Sequence, residues 1–262
     1  MQITKYKWDL NAKEPFFLLD DGTKMKLFDQ NINFLLGEKK CVGFIKDGKK
    51  HECPHSRSIE YGEKCNECKI NDDFFLCMQC DGECINKKQR RGCETNNYYI
   101  YLAAFDSLLK IGISYEHRFL ERWVEQGADF AAKIAYLKDG SEARKLEQKI
   151  SKELNIIDRL KGEKKQDIIF GNPNVAATNI KNAVEKLKLN GFSVKPLIHD
   201  LRNFYRLQNI LSYPKKMQIE NKTQIKGRFA AAKGNVLILE NENCFFSFNS
   251  HSLVGREIDI NI

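Results

Sequence analysis

Two short apolar runs flank Asp21-Gly22 in FFLLDDGTKMKLF, the pattern of a hairpin. CVGFIKDGKK repeats it around Asp47-Gly48, so residues 1–50 read as a β segment. From residue 98 strand and helix periods alternate. YYIYLAAF and LLKIGIS read as two strands. Glu116 to Gln126 places Phe119 and Trp123 on one helical face, and Gly127 stands where the helix stops. Leu146, Ile150 and Leu154 repeat at helical spacing in a second helix, Glu142 to Leu154, with Ser141 as its cap. Two more helices are predicted, Val175 to Leu189 before Gly191, and His199 to Leu211 before Pro214. Residues 217–262 return to β. There NVLILENENCFFSFNSHSLVGREIDI weakly repeats FFLLDDGTKMKLFDQNINFLLGEKKCVGF, as one sheet or barrel built from both chain termini would.

Residues 51–95 break this patterning. They hold seven of the nine cysteines and few apolar residues beyond FFL at 74–76. Such a segment cannot build its own core and needs a staple. The candidate ligands are Cys53, His55, Cys65, Cys68, Cys77, Cys80, Cys84 and Cys93. A C-x-x-C turn puts two thiolates on one side of the backbone, two corners of a zinc tetrahedron, and it occurs at Cys65/Cys68 and Cys77/Cys80. The simplest division is sequential: Cys53, His55, Cys65 and Cys68 on one ion, and Cys77, Cys80, Cys84 and Cys93 on another. A rival pairing joins Cys65, Cys68, Cys77 and Cys80, and His51 is an alternative to His55. A closed four-ligand site has no place for water, so both zinc ions are expected to be structural. Cys41 and Cys244 lie in strand-like segments and read as core residues. Four segments follow: 1–50 β, 51–96 double zinc, 97–215 α/β with extra helices, and 216–262 β, pairing with 1–50.

Composition adds an address and a partner class. No run of about eighteen apolar residues occurs, so no membrane span is expected. The opening MQITKYKWDL lacks the apolar stretch of a signal peptide, and a cytoplasmic protein is expected. Clustered cysteines there are read as metal ligands before disulfides. The net charge of +8 is a moderate excess that fits an anionic partner. INKKQRRG, between Cys84 and Cys93, puts Lys87, Lys88, Arg90 and Arg91 on one short loop suited to phosphates.

The stretch YIYLAAFDSLLKIGISYEHRFLERWVEQGA resembles the GIY-YIG endonuclease superfamily. Tyr99-Ile100-Tyr101 opens one strand, Lys110-Ile111-Gly112 follows on the next, and helices bearing arginine and glutamate come after. The resemblance covers roughly residues 98–160. It implies an α+β fold with a small three-stranded sheet and flanking helices. It also implies phosphodiester cleavage by a tyrosine, an arginine and one glutamate-bound divalent metal. Tyr101 matches the first-motif tyrosine and Lys110 takes the place of the second. Arg122, or else Arg118, matches the helical arginine. Glu147, or else Glu142, matches the ligand of Mg²⁺ or Mn²⁺. Tyr99 stands where the first motif has glycine, and lysine at position 110 also occurs in members that only bind DNA. A phenol can relay a proton, a guanidinium can grip phosphate, and a carboxylate-held ion can stabilise the leaving oxygen. Trp123 is a core residue or a surface for stacking a base. The wider layout resembles an uncharacterised prokaryotic family that combines a cysteine-rich segment with K-[IV]-G, R-W-x-x-Q-G-A and K-G-x-x-L-I motifs. Here these are Lys110-Ile111-Gly112, Arg122-Trp123 with Gln126-Gly127-Ala128, and Lys233-Gly234 with Leu237-Ile238. The expectation is a zinc-containing protein that binds, and by resemblance cuts, RNA or structured DNA. A binding module without catalysis and a zinc-based protein-interaction scaffold are the alternatives, and the oligomeric state stays open.

Overall fold

Alternating apolar residues build the first strands. β1 (Ile3–Asp9), β2 (Glu14–Leu19) and β3 (Lys24–Lys26) form an antiparallel sheet in that order, with Ile3, Trp8, Phe17 and Leu19 buried. β4 (Asn31–Lys39) leaves this sheet for another. β5 (Phe44–Lys46) and β6 (Lys49–His51) make the second expected hairpin. Its turn residues Asp47 and Gly48 have φ of 49° and 73°, the left-handed pair that a two-residue turn between right-twisted strands requires. The short helix α1 (Asn66–Asn71) follows. These are features of a computed structural model, a mixed α+β structure that describes residues 1–158, 162–194 and 196–260. It divides into two compact units, residues 1–75 with 204–262, and residues 76–203. The division falls inside the segment 51–96 and splits its cysteines between the units.

The central unit contains α2 (Arg90–Thr95), β7 (Tyr98–Phe105), β8 (Leu108–Tyr115), α3 (Phe119–Gln126), β9 (Phe130–Leu137), α4 (Gly140–Leu154), α5 (Gly162–Asp167), α6 (Pro173–Leu189) and β10 (Ile198–Asp200). Its sheet runs β10-β9-β7-β8 with every neighbour antiparallel. Ile100, Leu102, Ile111 and Ile134 of the sheet pack with Ile150 of α4 and Ile180, Val184 and Leu187 of α6. Each such side chain contributes about 1.5–3 kcal/mol on burial, which holds α4 against the sheet. Helix α3 ends where expected, on Gly127 with φ 77°. The cap of α4 is Asp139, not Ser141: the helix starts earlier, and the Asp139 carboxylate accepts from the backbone N–H groups of Ser141 and Glu142.

The helix expected over 199–211 does not form. Ile198–Asp200 adds an edge strand to β9, and 3-10 turns cover Arg202–Phe204 and Leu207–Asn209. Strand pairing takes the first residues, and Arg206 at φ 54° breaks any helical path.

The chain then returns to the first unit through β11 (Lys215–Lys216), β12 (Gln224–Lys233), β13 (Val236–Asn241), β14 (Cys244–Asn249) and β15 (Arg256–Ile260). With β4 they form a six-stranded sheet, β11-β14-β13-β12-β4-β15. Cys244 is exposed on β14 and is not the core residue its strand pattern indicated. Among the described residues, no helix is long and apolar enough to cross a membrane.

Candidate metal centre and phosphate site

Four cysteines of the first unit come together. Cys41 follows β4, Cys53 follows β6, Cys65 caps α1 and Cys68 lies in its first turn. All are buried, and their sulfurs lie within 4.8 Å of one another. Cys53 and Cys65 sulfurs are 4.0 Å apart. A tetrahedral zinc with bonds of about 2.3 Å needs sulfurs roughly 3.8 Å apart, so the set can hold one zinc ion after a small contraction. The Cys65 backbone N–H donates to the Cys41 sulfur at 3.2 Å, a contact that favours a thiolate. Burial pushes the Cys53 thiol up, but backbone N–H groups of Arg57 and His55 outweigh it and bring it down to about 7. Burial, with Cys41 and Cys65 beside it, pushes the Cys68 thiol well up.

This set corrects the expected one in a single member: Cys41 stands where His55 was expected. A tight turn, in which Ser56 N–H bonds to the Cys53 carbonyl, throws His55 outward. Its ring is 56% exposed and 3.5 Å from Glu67. His51 is not the fourth ligand either, since its ring stacks on Phe44 at 5.2 Å. Cys77, Cys80, Cys84 and Cys93 belong to the central unit. Among the described residues they do not form a group as tight as the first, but all four line one cavity of about 270 Å³.

The candidate phosphate site grows from the β7–β8 hairpin. Tyr101 is paired with Gly112 across it, and a Cβ at 112 would lie 2.5 Å from the Tyr101 hydroxyl. Glycine there leaves the room the phenol occupies. The ring is fully buried, and its hydroxyl accepts from Gln126 Nε2 at 2.7 Å. Burial raises the Tyr101 pKa, while the Arg122 charge beside it opposes the rise and that of Glu147 adds to it. Glu147, on α4, is 2% exposed, and Arg144 Nη1 donates to its carboxylate at 2.5 Å. Burial raises the Glu147 pKa, and Arg144 and Lys110 hold it back. Lys110 Nζ donates to the backbone oxygens of Ile111 and Asp158. Burial, then the Arg122 charge, lower its pKa to about 8. Lys165 on α5 is driven to about 7 by burial, then by Arg122 and Lys110. Arg122 thus lies within electrostatic reach of Tyr101, Lys110 and Lys165, and Glu147 within reach of Tyr101, Lys110 and Arg144. Tyr101, Lys110, Arg122 and Glu147 form one cluster, with Arg144 and Lys165 completing it.

Arg144 and Gln126 were within reach of sequence reasoning: one lies a helical turn before Glu147, the other in R-W-x-x-Q-G-A. Lys165, in GEKKQD, carried no signal. Trp123 is fully buried among the rings of Tyr101, Phe119 and His199, so it is core and cannot stack on a base. Arg90 is tied to Asp139 and Glu94, while Lys87, Lys88 and Arg91 are exposed. Arg118 pairs with Glu121 and Glu125, whereas Arg122, 52% exposed, stands 3.9 Å from Glu125. Glu142 is exposed and pairs with Lys145, away from the buried carboxylate of Glu147.

A mixed α+β protein with a four-cysteine cluster is the class that fold and site define. The chain belongs to the family described as Protein of unknown function (DUF2797), whose model matches residues 29–258. No curated protein and no solved structure matches it.

Proposed function

We propose that this chain is a zinc-containing nucleic-acid-binding protein whose central unit grips a phosphodiester and cuts it with one divalent ion, Mg²⁺ or Mn²⁺. The observation that carries this reading is a set of linked charges: Lys110 and Arg144 beside the buried carboxylate of Glu147, Arg122 beside the buried phenol of Tyr101, and Lys165 beside Lys110 and Arg122. Cations in such excess, partly desolvated, suit an anion that brings its own charge. Arg122, twice as exposed as Arg144, would hold the phosphate. The order β8-β7-β9 with α3 and α4 supports the GIY-YIG likeness. A single carboxylate among cations is a poor site for a divalent ion on its own and fits one when a substrate phosphate supplies further oxygens. Bound there, the ion supplies charge for the leaving oxygen. Glu147 would have to release Arg144 to hold it, and Arg144 would then be free for the phosphate.

That same Arg144–Glu147 pair favours a second reading, a module that binds nucleic acid and cuts nothing. The deciding experiment incubates wild type and Glu147→Gln with structured RNA and branched DNA plus Mn²⁺. Cleavage by wild type alone supports the nuclease. Tight binding with no cleavage leaves the module. Equal cleavage by both proteins removes Glu147 from the site, and no binding to any RNA or DNA at low salt ends both readings.

A further inference from the structure

We propose that Cys77, Cys80, Cys84 and Cys93 hold a second zinc ion, and that this ion fixes the first turn of α4 and thereby the positions of Arg144 and Glu147. The metal half of this inference stands independently of the phosphate-site reading, and the positioning half rests on it.

The four side chains come from one stretch of the central unit and line the same cavity. Cys77 and Cys80 are joined by a tight turn, with Cys80 N–H bonded to the Cys77 carbonyl at 3.4 Å. Asn86 Nδ2 donates to the Cys77 sulfur at 3.4 Å, a donor aimed at charge on sulfur. Tyr98 supplies an independent sign. It is 5% exposed and lines the cavity, yet its hydroxyl makes no hydrogen bond of ordinary geometry, only looser approaches to Cys93 and Tyr115. Cys93 is the sulfur beside it, and a thiolate drawn in by zinc would accept a hydrogen bond from the Tyr98 hydroxyl. Nor does apolar burial hold this stretch: Leu76, Met78 and Ile85 are 40%, 64% and 52% exposed. On binding, four thiols release four protons to solvent and Zn²⁺ gains four sulfur bonds, leaving a net charge of −2. Arg90, Arg118, Arg122 and Arg144 line the same cavity, and cations beside thiolates favour that state.

The link to α4 is a set of contacts within this unit. Ser141 Oγ donates to the Gly82 carbonyl, between Cys80 and Cys84. Arg90, three residues before Cys93, holds both carboxylate oxygens of Asp139, the cap of α4. Gly82 lies so close that a Cβ there would meet Lys145 Cγ at 2.5 Å. The cysteine loop therefore rests on the turn that precedes Arg144 and Glu147.

Two measurements on the full chain test this. Metal analysis of zinc-refilled protein should return two zinc ions per chain. Iodoacetamide on that protein, mapped by peptide mass, should then label Cys244 alone of the nine cysteines. One zinc per chain with Cys77, Cys80, Cys84 and Cys93 labelled overturns the site, as does iron in place of zinc. One zinc with these four protected and the Cys41 set labelled keeps this inference and removes the other centre. For positioning, Cys84→Ser/Cys93→Ser should retain one zinc while amide exchange of residues 142–147 speeds at least tenfold. Unchanged exchange in that variant overturns the positioning.

Discussion

Replacing Gly112 by alanine should damage the central unit out of proportion to one methyl group. The new Cβ would meet the Tyr101 hydroxyl at 2.5 Å and its Cζ at 2.6 Å. Ordinary contact begins near 3.4 Å, so ring and strand must part by roughly 0.9 Å. The ring has little room to yield, being fully buried with Trp123 packed at 6.0 Å. Overpacking of this kind costs about 1–3 kcal/mol. Moving the phenol also weakens the Gln126 hydrogen bond, for which about 1 kcal/mol is typical. Lower entropy of the unfolded alanine chain returns about 0.4–1 kcal/mol. The net expectation is a loss of about 2 kcal/mol. Trp123 can report it, because the chain has two tryptophans and Trp8→Phe leaves Trp123 as the only one. Urea unfolding followed by its fluorescence, at fixed zinc, gives the difference. Adding Tyr101→Phe should not restore stability, because Cζ remains in place. A Gly112→Ala protein within about 0.5 kcal/mol of its parent would refute the close approach.

Cys41→Ser should remove the first zinc and His55→Ala should leave it, as metal content per chain will show; the reverse would restore the histidine. Nucleic-acid affinity should fall steeply with salt, and Arg122→Ala should flatten the log–log slope by about one unit. Affinity should also decline as pH rises from about 6.5 to 9, because Lys165 and Lys110 lose their protons near 7 and 8. Fluorescence anisotropy at constant ionic strength measures this, and a flat profile would remove both lysines from the interface. Both pKa values lie below that of an ordinary lysine, so the folded chain binds fewer protons than the unfolded one between about 7 and 10.5. The linked contribution to stability accordingly rises with pH across that window.

Features carried by local spacing were legible in the sequence. Both hairpins with Asp-Gly turns form, as do the helices behind Gly127 and Gly191, because turn geometry and helical periodicity are set by neighbours in sequence. The helix expected at His199–Leu211 fails for the complementary reason. Its apolar spacing fits a helix, but a vacant edge of β9 is available, and antiparallel pairing of Ile198 with Ala132 and of Asp200 with Phe130 defines a strand there instead. Nothing in residues 198–200 encodes that edge.

The cysteines show the same limit more sharply. C-x-x-C spacing identifies Cys65 and Cys68 as a pair because one helical turn brings them together. The fourth member cannot be found this way. His55 is two residues from Cys53, yet a turn points it to solvent, while Cys41, twelve residues earlier in the chain, folds back through the β5–β6 hairpin. A strand-like context marked Cys41 as core, and it is indeed buried, but among three other sulfurs. Burial and ligation were not alternatives for this residue. The candidate phosphate site follows the same rule. Tyr101 and Lys110 could be read from one hairpin, and Arg144 and Glu147 from one helix. Their meeting, with Lys165 arriving from a helix that carries no motif, depends on how α4 and α5 pack and not on spacing along the chain.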